Sequence, residues 1–248
     1  MDVIERLIWS ADVQGKDGET DVQALVRYLG QMPGLQHVKI DRMLVERNGL
    51  DVLDLLRDLG ILVFDDAKII EIPTKTVGIA RVHLAHHPWM LNCMAGCCSS
   101  GLSASEKADQ TDGLKQFADV CRDAGTKSCG VTVLTSKSDD MIRREFGGRT
   151  SIEQVIEYVG MLQEFGFTDV VCSVKEVAEI RRHPEFNGLQ LNVPGVKMPG
   201  TDNADQARSD TPANTLKLGA DRLVIGRDIT TGDPAANLAR IIEHLTTA

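Results

Sequence analysis

Eight short, largely apolar segments recur along the 248-residue chain, and segments with the three- and four-residue spacing of helices lie between most of them. Strands that are apolar throughout are typical of parallel sheets covered by helices on both faces. Eight strands in a chain of this length match a closed (β/α)8 barrel, whereas an open doubly wound sheet does not need eight evenly distributed strands. We therefore predict a single α/β domain over residues 1–248, a (β/α)8 TIM barrel. The predicted strands are 6–12, 37–40, 61–68, 89–95, 128–135, 168–173, 189–193 and 221–226.

Helical patterns and irregular stretches fill the remaining sequence. The predicted helices are 23–33, 50–60, 151–166, 175–183, 211–219 and 233–245. The helix at 151–166 begins with a Ser-x-x-Gln pattern typical of a capping box. Two long polar stretches, 97–113 and 198–210, follow predicted strands. In a barrel the loops after strands form the catalytic face, so we predict that both are active-site loops.

Composition excludes several classes of function. The chain has 27 basic and 36 acidic residues, a net charge of −9, and no basic cluster that would favour nucleic acid. No apolar stretch reaches the length of a membrane span, and the first residues lack a signal-peptide pattern. We therefore expect a cytoplasmic protein without nucleic-acid or membrane partners. Cys93, Cys97 and Cys98 lie close together, but no second cysteine pair with zinc-ligand spacing follows, so no metal is predicted. Glycine-rich phosphate loops are absent, so no nucleotide cofactor is predicted.

Charged residues collect where the predicted strands end. In FDDAKIIEIPTKT (64–76), Asp66 and Lys68 are two residues apart and point to the same side of a strand, and Glu71 follows just beyond it. Lys39 ends the second predicted strand. An ordinary structural ion pair is the alternative interpretation.

The last predicted strand ends in RLVIGRDIT (222–230). Gly226 allows the backbone to approach a ligand closely, and Arg227 can hold a phosphate with two hydrogen bonds. Barrels often bind phosphate around their seventh and eighth loops. A phosphorylated small molecule is therefore the expected ligand, with a solvated arginine as the alternative.

The segment FDDAKIIEIP (64–73) resembles the Asp-x-Lys-x-x-Asp-Ile-Pro signature of orotidine 5'-monophosphate decarboxylases. Six further segments resemble motifs of the same family, in the same order along the chain. These are SAD (10–12), HVKID (37–41), GVTVLTS (130–136), VPGVK (193–197), Gln206 and GADRLVIGRDIT (219–230). The chain is thus identified as a member of this superfamily.

The resemblance implies a homodimeric decarboxylase that uses no cofactor. By position, Lys39, Asp66, Lys68 and Glu71 correspond to an alternating charged network, in which Lys68 is the proton donor. Glu71 would reach the site of the neighbouring subunit. Substrate contacts are implied for Asp12, Ile72, Pro73, Thr76 (or Thr74), Thr135, Ser136 and Pro194, and phosphate contacts for Lys197, Gln206, Gly226 and Arg227.

The chain departs from the family pattern at the mouth of the predicted barrel. Glu71 stands where the family has aspartate, and Lys197 stands where it has arginine. Ile70 and Met94 replace histidines that are common in the family. Two alternatives to orotidine monophosphate decarboxylation therefore stay open. One is a relative that acts on another phosphorylated acid or nucleotide, such as a sugar-phosphate decarboxylase. The other is a weakly active nucleotide-binding homologue.

Overall fold

The eight predicted strands form a closed parallel barrel in the computed structural model, which describes residues 2–97, 104–200 and 210–247. Each strand pairs with the next along the chain, and the last pairs with the first, so the (β/α)8 prediction is confirmed. The strands are β1 (Leu7–Ser10), β2 (His37–Asp41), β3 (Leu62–Ile69), β4 (Met90–Met94), β5 (Lys127–Val131), β6 (Asp169–Val171), β7 (Gln190–Pro194) and β8 (Arg222–Ile225).

Helices surround the barrel and join its strands. Within the described residues the α-helices are α1 (Asp21–Gly30), α2 (Arg42–Asn48), α3 (Asp51–Asp58), α4 (Pro73–Leu84), α5 (Ala104–Asp123), α6 (Asp139–Glu145), α7 (Ser151–Glu164), α8 (Val174–Arg181), α9 (Pro212–Lys217), α10 (Arg227–Thr230) and α11 (Pro234–Thr247). None of the helices found in the described ranges is long and apolar enough to cross a membrane.

Helix α5 shortens the loop predicted over 97–113, of which residues 98–103 lie outside the described part. Its backbone is already helical at Ala104, and Gly113 lies inside it. A Cβ added at Gly113 would lie 2.8 Å from the Cα of Pro73, at the start of α4. Glycine, which the sequence pattern marks as a helix breaker, is thus the residue that lets these two helices touch. In the second predicted loop, 198–210, residues 201–209 lie outside the described part.

The capping box of α7 lies one residue before its predicted place. Thr150, not Ser151, caps the helix by accepting a hydrogen bond from the Glu153 backbone N–H, and the Glu153 carboxylate accepts one from the Thr150 backbone N–H. A carboxylate in the first turn also interacts favourably with the helix dipole. The shift leaves Ser151 and Gln154 on the buried side.

The inside of the barrel is filled in layers. Because strand residues alternate between two faces, every second side chain points inward. The middle layer is apolar and consists of Ile8, Phe64, Met90, Cys129 and Val224. The larger core, between the strands and the helices, is built by the outward-facing residues.

A buried polar network closes the end of the barrel at which the strands begin. Arg222 donates a hydrogen bond of 2.8 Å to the Asp169 carboxylate, and Asn192 donates one of 3.0 Å to the same oxygen. The Arg222 guanidinium also lies 5.1 Å from the centre of the Trp89 ring. The apolar middle layer separates this network from the opposite end, where the strands finish.

Candidate active site

A cavity of about 240 Å³ opens where the strands end. In a (β/α)8 barrel this is the face that carries catalytic sites. The cavity is lined by nine of the residues that the sequence predicts for the site: Asp12, Lys39, Asp66, Lys68, Thr135, Pro194, Lys197, Gly226 and Arg227. The charged residues therefore share one concave site, although they come from strands far apart in the sequence.

The carboxylate of Asp66 lies at the centre of the charged residues. One of its oxygens, Oδ2, is 2.9 Å from Nζ of Lys39 and 2.5 Å from Nζ of Lys68. The other oxygen, Oδ1, accepts a hydrogen bond of 2.6 Å from the side-chain amide of Asn92. Both oxygens of this buried carboxylate thus face hydrogen-bond donors, which a carboxylate needs when it is removed from water.

Burial and charge oppose each other in this cluster. Burial disfavours the ionised carboxyl of Asp66, but the ammonium groups of Lys39 and Lys68 outweigh it and hold the pKa of Asp66 below its ordinary value. Burial likewise disfavours the charged form of Lys39, but Asp66 and Asp12 outweigh it and raise the pKa of Lys39. Both groups are therefore charged across the neutral range.

Lys68 differs from Lys39 in its access to the cavity. The side chain of Lys68 is 40% exposed, whereas that of Lys39 is 12% exposed. Asp12 completes the cluster on the far side of Lys39, at 3.8 Å from its Nζ, and accepts hydrogen bonds from the Ser10 hydroxyl. The arrangement presents a cation, Lys68, that is held by a buried anion and faces the space for a ligand.

The other end of the cavity contains Lys197, Gly226 and Arg227. Lys197 lies 3.3 Å from the Asp228 carboxylate, whose second oxygen accepts a hydrogen bond of 2.7 Å from the Met198 backbone N–H. An added Cβ at Gly226 would make only ordinary contacts, the nearest at 3.5 Å to Ser10. This end can accommodate an anion, but Asp228 competes with that anion for Lys197.

Several predicted site residues lie outside this cavity. Glu71 is exposed, and its carboxylate accepts a hydrogen bond from the backbone N–H of Ile72, which is itself 61% exposed. Pro73 begins α4. The hydroxyl of Thr76 is buried and donates to the Glu71 carbonyl, while Thr74 is exposed.

Two further predicted residues are Ser136 and Gln206. Ser136 is exposed and does not line the cavity, although its neighbour Thr135 does. Gln206 lies outside the described residues. None of the side chains of residues 70–74, the segment around Glu71, lines the cavity of its own chain.

Sequence reasoning missed two residues that contact charged residues of the cavity: Asn92, which binds Asp66, and Asp228, which binds Lys197. Asn92 lies in the middle of an apolar segment, and the signal that could have found it is its position two residues after the inward-facing Met90. Asp228 directly follows the predicted phosphate ligand Arg227. Asp41, the last residue of β2, caps α2 by accepting a hydrogen bond from the Leu44 N–H.

One group of three potential metal ligands is found among the described residues, and it lies outside the cavity. Asp51, Asp54 and His86 bring their ligand atoms within 4.8 Å of one another. Asp54 already accepts hydrogen bonds from His86 and Arg57. Surface acidic clusters of this kind are commonly paired in this way, so we assign no metal to it.

The chain is similar in sequence and in fold to known decarboxylases. The model of the "Orotidine 5'-phosphate decarboxylase / HUMPS family" matches residues 5–241. Orotidine 5'-phosphate decarboxylase of Parasynechococcus marenigrum is 34% identical over 235 residues, which are 92% of this chain and 91% of the relative. The enzyme of the same name from Pseudomonas fluorescens is 34% identical over 223 residues, 86% of this chain and 87% of the relative. The crystal structure of orotidine 5'-phosphate decarboxylase from Lactobacillus acidophilus is similar with a TM-score of 0.72 at 25% identity, over 96% of this chain and 98% of that one.

The Lys39–Asp66 pair predicts a specific acid sensitivity. A carboxyl whose pKa is lowered on folding contributes stability above its unfolded pKa, near 3.8, and this is lost as the pH falls through the lower folded pKa. Lys39→Met removes one of the two ammonium groups that counter the effect of burial on the Asp66 carboxyl, so the pKa of Asp66 rises. We expect the Tm of this variant to begin its acid decline about one pH unit above that of the wild type.

The measurement is Tm against pH from 3 to 8. Lys39→Met/Asp66→Asn should lack the additional acid decline, because no carboxyl remains to titrate. Arg42→Met, which breaks the exposed pair with Glu46, is the control and should run parallel to the wild type. A parallel curve for Lys39→Met as well would contradict the coupling of these two charges.

The Lys197–Asp228 pair predicts a variant that binds phosphate more tightly. Asp228→Asn keeps an oxygen for the Met198 N–H but removes the charge that competes for Lys197. We expect the Kd for inorganic phosphate, measured by calorimetry, to fall about three- to tenfold, which corresponds to ~1 kcal/mol. Arg227→Ala should raise the Kd for inorganic phosphate. Asp233→Asn makes the same charge change at an exposed position, and equal effects of the two asparagine variants would contradict the local competition.

Proposed function

Because the chain belongs to the orotidine 5'-phosphate decarboxylase / HUMPS family, we propose that it converts orotidine 5'-monophosphate to uridine 5'-monophosphate in pyrimidine nucleotide biosynthesis. The chain is a carboxy-lyase. The observation that carries the choice of reaction is the Asp66 carboxylate, buried between two lysines at the floor of the cavity. The proposal includes a cytoplasmic location and a reaction that needs no cofactor.

The proposed chemistry follows from where the charges lie. Loss of carbon dioxide from C6 of the pyrimidine leaves a carbanion without a conjugated electron sink. An ammonium held in place beside C6 stabilises the negative charge as it develops and then donates the proton. Lys68 fits this role because its side chain reaches the cavity while Asp66 holds it at 2.5 Å.

Asp66 and Lys39 would support Lys68 rather than react. The fixed ion pairs keep the ammonium oriented before the substrate arrives, so little reorganisation is needed during the reaction. Lys39 and Asp12, which lie 3.8 Å apart, would also contact the ribose. Thr135, Ser136 and Pro194 would approach the pyrimidine, and of these Thr135 and Pro194 line the cavity.

The phosphate would bind at the end of the cavity that contains Arg227, Gly226 and Lys197, with Gln206 as a further contact. The phosphate takes no part in the chemical step. Its binding energy can nevertheless position the reacting ring, which lowers the barrier when the interaction is complete only in the closed complex. Lys197 would exchange its contact with Asp228 for one with the phosphate.

We further propose a homodimer in which the segment around Glu71 completes the neighbouring site. The support is the position of this segment: Glu71 is exposed outside its own cavity. Two isoleucines that flank it, Ile70 and Ile72, are 58% and 61% exposed. Exposed apolar side chains grouped in this way mark a surface that a partner covers. Ile72, Pro73 and Thr74 would then contact the partner's substrate, and buried Thr76 would keep the turn in shape.

Turnover of orotidine 5'-monophosphate by the purified protein tests the function. We expect the ultraviolet absorbance of the substrate to fall at the same rate with and without a chelator. Lys68→Ala should lower kcat by at least about 10³-fold, because both charge stabilisation and the proton donor are lost, while uridine 5'-monophosphate still binds. Lys175→Ala, which removes an exposed lysine on α8, should leave turnover unchanged.

The same assay separates the alternatives. Binding of uridine 5'-monophosphate without turnover by the wild type would contradict the proposed reaction and favour a nucleotide-binding homologue. Turnover that a chelator abolishes would favour a metal-dependent relative. Full activity of Lys68→Ala would contradict the proposed role of this residue.

Mixing two inactive variants tests the shared site. In a mixed dimer of Lys68→Ala and Glu71→Ala chains, one of the two sites keeps both native residues if Glu71 acts in the neighbouring site. Random exchange should therefore restore about a quarter of the wild-type rate. Lys68→Ala mixed with Asp66→Asn should restore none, because both residues belong to the same strand. No recovery in the first mixture, with mixed dimers present, would contradict the proposal.

A further inference from the structure

Strand β3 leaves its regular pairing with β4 just where the charged residues occur. Asp65 pairs with Leu91, and the next pair is Ile69 with Cys93, so four steps along β3 match two steps along β4. Three residues of β3, Asp66, Ala67 and Lys68, thus lie opposite the single residue Asn92 of β4, so β3 has two extra residues here. Lys68 also has a φ of +46°, in the left-handed region that residues with a Cβ rarely adopt. The backbone at Lys68 is therefore strained, and something must hold it there.

Asn92 on β4 is the residue that contacts both ends of this bulge. Its side-chain oxygen accepts a hydrogen bond of 2.6 Å from the Lys68 backbone N–H. Its side-chain nitrogen donates one of 2.6 Å to Oδ1 of Asp66. Asn92 is completely buried, and among the inward-facing residues of β4 it lies one step above the apolar middle layer.

The side chain at position 92 must supply a donor and an acceptor at once. Without Asn92, the Lys68 N–H would lose its partner in a part-buried place, and the buried Asp66 carboxylate would lose one hydrogen bond. Aspartate at position 92 would supply the acceptor but set a second carboxylate against Asp66. Alanine or leucine would supply neither, so the amide is the fitting group for this position.

We propose that Asn92 is a positioning residue for the decarboxylation: it fixes the bulge of β3 so that the Asp66 carboxylate and the Lys68 ammonium stand in line with the substrate. The inference rests on the proposed function for its catalytic part. Its structural part, that Asn92 holds the Lys68 backbone, stands independently. Asn92 is not among the residues that line the cavity, and it acts through its two neighbours, Asp66 and Lys68.

Asn192 provides a matched control. It is also a completely buried asparagine on a barrel strand, and its side-chain nitrogen also donates a hydrogen bond to a carboxylate, that of Asp169 at 3.0 Å. It lies in the network at the opposite end of the barrel. Truncation of either asparagine removes the same atoms from the interior, so a difference between the two variants reports on the site and not on packing.

Kinetics separate positioning from binding. Asn92→Ala should lower kcat for orotidine 5'-monophosphate about 10²-fold, the effect of a misplacement of about 1 Å, with KM changed less than about threefold. Asn192→Ala should lose comparable thermal stability and keep kcat within about twofold of the wild type. Equal kcat values for the two variants would overturn the catalytic part of the proposal.

Asn92→Asp has a pH signature that a purely structural role would not give. When ionised, its carboxylate repels Asp66; when protonated, it donates to Asp66 and still accepts from Lys68, as asparagine does. We therefore expect kcat of this variant to rise about tenfold as the pH falls from 8 to 5, unlike that of the wild type or Asn92→Ala. Besides Asp66, the charged or titratable groups around this position are Lys68 on β3, whose backbone N–H it binds, and Cys129 on β5, which is opposite it in the strand register. Lys39 on β2 shares the Asp66 carboxylate, and Asp12 after β1 lies beyond Lys39. A flat profile with low kcat would overturn the proposed hydrogen-bond pair.

Hydrogen exchange tests the structural part without any substrate. The Lys68 amide should exchange about tenfold faster in Asn92→Ala than in the wild type, as expected for the loss of one hydrogen bond, and should be unchanged in Asn192→Ala. Equal protection of the Lys68 amide in all three proteins would overturn the proposal that Asn92 holds the Lys68 backbone. If the wild type fails to turn over orotidine 5'-monophosphate, the proposed function fails, and hydrogen exchange alone then decides whether Asn92 holds this backbone.

Discussion

The closure of the barrel decides which side chains can meet. With eight strands closed on themselves, alternate residues must point inward, and the enclosed space is only wide enough to be filled by side chains. The apolar middle layer meets this requirement with Ile8, Phe64, Met90, Cys129 and Val224. The residues two steps further along β3 and β4, Asp66 and Asn92, then necessarily point into the same space. The contact between Asp66 and Asn92 at the centre of the site therefore follows from the alternation of side chains along the two strands.

Both ends of the barrel contain a buried carboxylate that is held by at least one cation and by an asparagine, but the two ends differ in their access to a cavity. At the lower end Asp169 is paired with Arg222 and Asn192, and the network is packed under Trp89. At the upper end Asp66 is paired with two lysines and Asn92, and one of the lysines faces a cavity of about 240 Å³. A buried ion pair adds little stability over a well-packed apolar pair of the same volume. The upper cluster is therefore better explained by what it can do to a ligand than by what it does for the fold.

The sequence predicts the framework well because its signal is physical and local. Every strand was identified, since a strand covered on both faces must be apolar over its whole length. Helix α5 was missed because Gly113 has the local signature of a loop, and only its contact with Pro73 explains it. Asn92 was missed for a related reason: its partner Asp66 is 26 residues away, and the register between β3 and β4 includes an irregularity that local patterns do not reveal.

The lysine at position 197 and its partner Asp228 make physical sense as a pair. Lysine stands here where the resembling motif has arginine, and its ammonium lies 3.3 Å from the Asp228 carboxylate. A lysine is a point charge that one carboxylate can neutralise, whereas an arginine would keep free donors for a second anion. Asp228 also accepts a hydrogen bond from the Met198 backbone, which fixes the start of the segment that follows β7. The proposed binding of phosphate would replace the contact of Asp228 with Lys197 and leave that with Met198. Binding of an anion at this end can thus change the charge around Lys197 while Asp228 keeps its hydrogen bond to the Met198 backbone.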